Sequence, residues 1–332
     1  MLNSDKQICS DKKAELRKML FMSLLLLVAT ALFAQDAPKD ERSALSGFAK
    51  FPVNIRLAQE IVTAGGYTME DDGAQLADGD RSEALRTTLN LSMPIYKGKA
   101  SYINFGGFYN FHNVQFSPPK SGDAYEIDMG REHHTWGLQG IYMYGGKLWN
   151  RKFTGLANLR GEFSESGLER VTMFAVGMLQ LKRTEHSSLG VGAVLLLNTS
   201  SPWPLFPFVT YRCKFSEKWS LDLMLPQLYI NHHLSTKDKL SAGFSISGEH
   251  YYISPGRADL PATCMYSRSN LRPEIVYEHR MTPLTKLFIK GGSTICINSR
   301  LYSSSGNSRY MDISQKPSFF MQVGVSYGIM GM

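Results

Sequence analysis

Residues Leu85–Ile95 read LRTTLNLSMPI, and the alternation within them decides the fold. Leu85, Thr87, Leu89, Leu91, Met93 and Ile95 fall on one parity, Arg86, Thr88, Asn90, Ser92 and Pro94 on the other. On a strand those two sets point to opposite faces, whereas a helix would scatter both around its circumference. The segment therefore reads as a strand with one apolar and one polar face.

The same period recurs outward from it. Phe153–Phe163 sets Asn158, Arg160 and Glu162 on its polar face, and Trp219–Leu225 does so with Ser220 and Asp222. In Leu240–Gly248, Leu240, Ala242, Phe244 and Ile246 oppose Ser241, Gly243, Ser245 and Ser247. Phe319–Tyr327 alternates Met321, Val323 and Val325 with Gln322, Gly324 and Ser326. Strands are predicted at 53–63, 83–96, 100–113, 133–145, 152–164, 170–183, 187–199, 205–215, 219–225, 227–234, 239–253, 269–281, 284–300 and 317–329. That makes about 14, an even number as single-chain bacterial barrels require. The count needs a tight reversal around Pro226; without it, 12 or 13 remain.

Connection lengths give an independent test, since such barrels alternate short inner turns with longer outer loops. Tyr96–Lys99, Gly145–Arg151, Arg183–His186, Phe215–Lys218, Ser235–Asp238 and Met281–Leu284 are short. Thr63–Arg81, Gln115–Glu132, Ser254–Asn270 and Leu301–Lys316 are long, and are expected as outer loops. Both termini of the chain then lie on the periplasmic side.

Ahead of these strands lies Leu20–Phe33, an apolar run preceded by Lys12, Lys13, Arg17 and Lys18. It is shorter than the roughly 20 residues of a membrane-spanning helix, and with Ala34–Gln35 as a cleavage point it fits a secretory signal peptide. Residues 1–34 are thus expected to be a leader and 35–332 one barrel domain. No later run of 18 apolar residues occurs, so the 43% hydrophobic content goes into alternating strands. The net charge of +7 falls to +5 without the leader and is dispersed, which argues against a nucleic-acid partner. Cys213, Cys264 and Cys296, an odd number at wide spacing, form neither a disulfide framework nor a zinc site.

A soluble β-sandwich would alternate too. Several of the predicted strands, however, exceed the usual five or six residues of soluble strands and reach the 9–11 or so of a tilted membrane strand. Tyr96, Tyr102, Trp149, Trp203, Trp219, Tyr229, Tyr251, Tyr252 and Tyr277 stand near strand ends, as interfacial girdles require. The fold class expected is all-β, an antiparallel up-and-down transmembrane barrel.

Residues 211–221 (YRCKFSEKWSL) and 229–240 (YINHHLSTKDKL), with Leu223–Pro226 between them and Gly248–Tyr252 after, resemble an uncharacterised family of Gram-negative outer-membrane β-barrel proteins. The resemblance is sharpest over 205–254 and implies location and fold, with no assigned activity and no catalytic residues.

Candidate chemistry is sparse. His133–His134 and His232–His233 are adjacent pairs whose members face opposite ways on a strand, so neither makes a metal site alone. A lipid-active hydrolase would need a serine beside a histidine; His250 with Ser247, or His279 near the rim, are the residues to weigh, but His250 and Ser247 lie on opposite faces. Gly324–Gly328 spells GVSYG inside a strand, without the strand–turn–helix of a nucleophile elbow. Glu70, Asp71 and Asp72 lack the spacing of a calcium loop. The polar faces carry Arg56, Arg86, Arg160, Glu162, Lys182, Arg212, Asp222, Glu249, Arg272, Glu274, Glu278 and Lys290, which would line a channel or close it by pairing. Arg272, Glu274 and Glu278 against Lys290 read as a structural ion-pair ladder.

The sequence thus assigns no catalytic, cofactor-binding or metal residues and no cofactor. It points to a non-enzymatic outer-membrane barrel that passes small polar solutes or serves as a surface structural or binding element, with outer-membrane lipids and the barrel-assembly machinery as partners. The alternatives are an outer-membrane lipid-active hydrolase and a secreted soluble β-sandwich binding protein.

Overall fold

The computed structural model describes residues 53–71, 74–117, 129, 132–197, 204–224, 227–257, 259–304 and 308–329; the expected leader lies outside the described residues. The regular elements among them are strands: β1 Val53–Val62, β2 Gly65–Asp71, β3 Ala74–Arg81, β4 Ala84–Lys97, β5 Ser101–Asn113, β6 Glu132–Leu148, β7 Arg151–Ser164, β8 Gly167–Arg183, β9 Ser187–Leu197, β10 Leu205–Lys214, β11 Trp219–Met224, β12 Gln227–His233, β13 Asp238–Ile253, β14 Cys264–Arg280, β15 Thr285–Ser303, β16 Arg309–Gln315 and β17 Ser318–Ile329.

Fourteen of them close a barrel. β4 to β15 pair in chain order, β15 pairs β17, β17 pairs β1, and β1 returns to β4, all antiparallel. The chain reverses between Met224 and Gln227, as expected: β11 and β12 pair from Met224↔Gln227 to Trp219↔His232, while Pro226 itself lies outside the described residues. Val53 stands opposite Ile329 at one end of the barrel, where the six short turns also lie. We call this the terminal end, and the opposite one the loop end.

Two expectations about the loop end are corrected. Thr63–Arg81 and Leu301–Lys316 are not open loops: β2, β3 and β16 continue the strands of β1, β4 and β17 beyond the ring, with β15–β16, β16–β2 and β2–β3 paired. Cys264–Ser269, expected in a loop, is likewise the start of β14. Local residues made these segments look like turns, through Gly65, Gly66 and the Asp-rich strip 70–72. Cross-strand pairing and burial of Tyr67, Met69, Met311 and Ile313 outweigh that local preference. β15 has 19 residues; at about 3.4 Å per residue and about 40° tilt such a strand rises roughly 50 Å, about twice the ~25 Å apolar band of a membrane barrel. The tall side therefore projects beyond the bilayer.

The wall faces lipid. Residues paired across strands share a face, and the outward set includes Leu57, Ile61, Leu91, Met93, Ile103, Phe105, Leu138, Leu159, Ile275, Ile289, Met321 and Val323, all exposed. Tyr96, Trp149 and Trp219 stand exposed near the terminal end as expected of a girdle. Tyr251 and Tyr252 do not: both are buried, and Tyr229 hydrogen-bonds Glu274 within the lumen. Trp203 lies outside the described residues.

Candidate functional site: a lumen in two halves

The inward parity is Arg56, Ala58, Glu60 and Val62 on β1, and the register carries it around the ring through Arg86, His112, His133, Glu162, Asp222, Asn231, Glu249, Arg272 and Lys290. These side chains divide the lumen into a filled half and an open half.

At the loop end the interior is a dry core. Tyr67, Met69, Ala77, Val114, Met129, Tyr251, Ile253, Cys264, Tyr266, Leu301, Met311 and Ile313 pack together, all buried. They come from β2, β3, β13, β14, β15, β16 and the residues after β5. A porin-like lumen would be polar and wet at this level; this one is packed as a soluble domain is.

Beneath the core lies a layer of buried charges. Arg272 bonds Glu60 at 2.7 Å, from β14 to β1. Glu249 is held by Arg268, by Arg86 at 3.5 Å and by Asn270 at 3.3 Å. Glu274 meets Lys290 at 3.6 Å. Isolated charges in such a place would cost several kcal/mol each, so the layer persists only because its charges are paired and hydrogen-bonded. The free space among them, beside Glu60, Arg81, Arg86, Glu249 and Arg268, is about 30 Å³.

A third contact pinches the wall. β12 reaches only Phe244 on β13, so Ser245–Ile253 has no β12 partner. That upper part of β13 crosses toward β6 and β7: Tyr251 stacks on His133 at 4.3 Å, and Glu162 accepts from Tyr252 at 3.1 Å and pairs with His250 at 2.8 Å. Arg160 completes the group, 2.8 Å from Glu162 and 3.6 Å above the Phe108 ring. Phe108 lies over Gly137, its cross-strand neighbour, where a Cβ would stand 2.4 Å from the ring; a larger residue would displace the aromatic floor under Arg160. Both faces of upper β13 are thus covered, one by the core and the other by β7.

Toward the terminal end the lumen opens into a cavity of about 430 Å³, lined by Arg212, Ser220, Asp222, Asn231, His233 and Lys239 among others. Its pairs are more exposed: Arg212–Asp222 at 2.5 Å and Lys239–Glu278 at 2.7 Å. Asn231 donates to Asp222 at 2.9 Å and accepts from Ser241 at 2.7 Å.

Several sequence readings can now be placed. The ladder holds at Glu274–Lys290, but Arg272 pairs with Glu60 and Glu278 with Lys239. His250 is engaged by Glu162, away from Ser247, and His279 bonds Asp238 at 2.7 Å. His133 is buried against Tyr251, His134 meets the Tyr109 hydroxyl at 2.8 Å and His232 stacks on Trp219 at 4.3 Å, so the adjacent histidines serve separate contacts. Glu70 and Asp71 sit on β2, while Asp72 lies outside the described residues. Among the described residues no three His, Cys, Asp or Glu side chains are grouped to hold a metal. Cys213, Cys264 and Cys296 are free thiols.

These features define the class: a closed, antiparallel, 14-stranded transmembrane β-barrel, with an apolar wall and, among the described residues, a packed apolar core at its loop end. The chain belongs to the family described as a domain of unknown function (DUF6268), which matches residues 160–328. No curated protein matches it. Among solved structures, an outer membrane channel from Pseudomonas putida F1 is 10% identical, with 89% of this chain and 100% of that one covered and a TM-score of 0.44. A FadL homologue from Pseudomonas aeruginosa is 9% identical over 83% and 90%, TM-score 0.38. Outer membrane phospholipase A from Escherichia coli is 11% identical over 85% and 94%, TM-score 0.33.

Proposed function

We propose that this chain is an exported, non-enzymatic outer-membrane barrel whose lumen takes small polar solutes at its terminal, periplasm-facing end and is closed to free diffusion at the other. The apolar outward wall supports the location, with membrane lipids as its surroundings and the barrel-assembly machinery as its partner during biogenesis. One observation carries the reading of the lumen: the terminal end holds a cavity of about 430 Å³, whereas beneath the packed loop-end core the cavity beside Glu60, Arg81, Glu249 and Arg268 is only about 30 Å³. Of the two roles expected from sequence, this favours a binding element over an open pore.

The test is planar-bilayer recording on the refolded full chain, with its heat-modifiable migration on a gel as proof of folding. The expected result is a heat-modifiable barrel without steady conductance. Stable stepwise conductance of the wild-type chain would overturn the closed lumen in favour of passive passage.

A further inference from the structure

The register brings together cations that lie far apart in sequence. Arg280 on β14 is directly opposite Lys286 on β15, Lys286 is opposite Ser326 on β17, and Ser326 is opposite Arg56 on β1. On the other flank the Arg280 amide bonds the Lys237 carbonyl at 2.8 Å. One row across the four neighbouring strands β14, β15, β17 and β1, at steps of about 4.8 Å and extended by Lys237 in the turn before β13, thus reads Lys237, Arg280, Lys286, Ser326, Arg56, four cations and no carboxylate within the row. Lys237, Arg280 and Lys286 line the 430 Å³ cavity, and Lys214 joins them from β10.

The carboxylates of the cavity are already engaged. Asp222 holds Arg212, Asp238 is bonded by His279 and by Tyr277 at 2.7 Å, and Glu278, bonded to Lys239, also lies within electrostatic reach of Lys286, Lys290 and Arg56, one carboxylate shared among four cations. Among the described residues, Lys214, Lys237, Arg280 and Lys286 form no ion pair, and Arg56 lies 4.7 Å from the centre of the Phe288 ring. Like charges placed directly opposite on paired strands destabilise a sheet, so the Arg280–Lys286 pairing, which Glu278 offsets only in part while bonded to Lys239, costs stability unless further negative charge lies between them. A ring interior with that arrangement concentrates anions.

We propose that this row is a binding site for a small soluble oxyanion bearing carboxylate or phosphate groups, held at the mouth of the lumen. Guanidinium forks suit the two oxygens of such groups, and ammonium groups on either side supply further charge-assisted hydrogen bonds. The cavity is of a size that takes small ligands. The proposal deepens the reading of the cavity as the solute-holding part of the barrel.

The experiment is calorimetric titration of the full chain, folded in neutral-lipid nanodiscs, with inorganic phosphate and separately with citrate. Saturable binding of at least one is expected, weakening as sodium chloride rises. The double variant Arg280→Gln/Lys286→Gln should bind at least about tenfold more weakly, two charge-assisted contacts being lost. Arg309→Gln, at the loop end, should bind as the wild type does. Heat-modifiable migration shows that each variant is folded, and Lys214→Gln, with a smaller expected loss, serves if the double variant is not. Absence of saturable binding to either anion, wild-type binding by a folded Arg280→Gln/Lys286→Gln variant, or loss of binding when anionic phosphatidylglycerol is added to the nanodisc would overturn the proposal. The last outcome would mean that the row serves lipid headgroups. The two readings fail separately: steady conductance removes the closed lumen and leaves the titration standing, whereas a silent bilayer without anion binding removes only the oxyanion.

Discussion

The two halves of the lumen share one wall and differ in how each treats charge. At the loop end Glu249, Arg268, Glu60 and Arg272 are buried side chains, 12%, 6%, 3% and 9% exposed, beneath a packed apolar core. At the terminal end Arg212 and Asp222 are 41% and 34% exposed beside an open cavity. A charge pair in the first half has exchanged its water for its partner, whereas one in the second half keeps most of both. The same residue types are therefore paired away from water in one place and hydrated in the other.

The largest effect that follows concerns Glu249. Glu249→Ala leaves Arg268 buried and Arg86 half-buried without their shared carboxylate, and removing one member of a buried pair typically costs about 3–5 kcal/mol. Urea unfolding of the refolded variant in detergent, read by heat-modifiable migration, should show that loss. A shift within about 1 kcal/mol of wild type would mean that water reaches this layer and that the lumen is less sealed than the contacts indicate.

The wall of this comparison was legible in the sequence, and its interior was not. Period-two alternation in Leu85–Ile95 and its repeats marked the ring strands, and Pro226 marked the one reversal that keeps the number even. Alternation specifies which face a side chain takes; it does not specify what stands across the lumen. Glu60 and Arg272 are 212 residues apart, and Glu162 and His250 are 88 apart. The inward swing of β13 follows from the shortness of β12, 7 residues against 16 in β13, and only the register displays it. The same holds for the cation row, whose members stand on separate strands and one turn. In β2 and β3 the alternation was present, Tyr67 and Met69 against Ala77 and Gly79, but glycines and aspartates around it gave the stronger local signal of a turn.

A smaller effect sharpens the dry half. Ile313 is fully buried in the loop-end core. Ile313→Val removes one methylene from a packed site and should cost about 0.5–1.5 kcal/mol, measured by the same unfolding transition. A neutral result would indicate that the core has slack to collapse into the gap, as a loosely packed plug would.

The smallest effect belongs to the wet half, and it completes the contrast. Asp222→Ala removes the carboxylate of the Arg212–Asp222 pair, whose strands β10 and β11 meet at that register. With both side chains more than a third exposed, Arg212 recovers its hydration at once, and exposed pairs of this kind contribute only about 0–1 kcal/mol. The unfolding midpoint should move by correspondingly little, and less still in high salt, since screening weakens solvent-exposed pairs first. The variant also frees a guanidinium toward the cavity, so phosphate or citrate should bind at least as tightly as in the wild type. If Asp222→Ala instead destabilised the barrel as strongly as Glu249→Ala, exposure would not be what separates the two halves, and the distinction between a sealing layer and a solute-facing one would have to rest on something other than solvent.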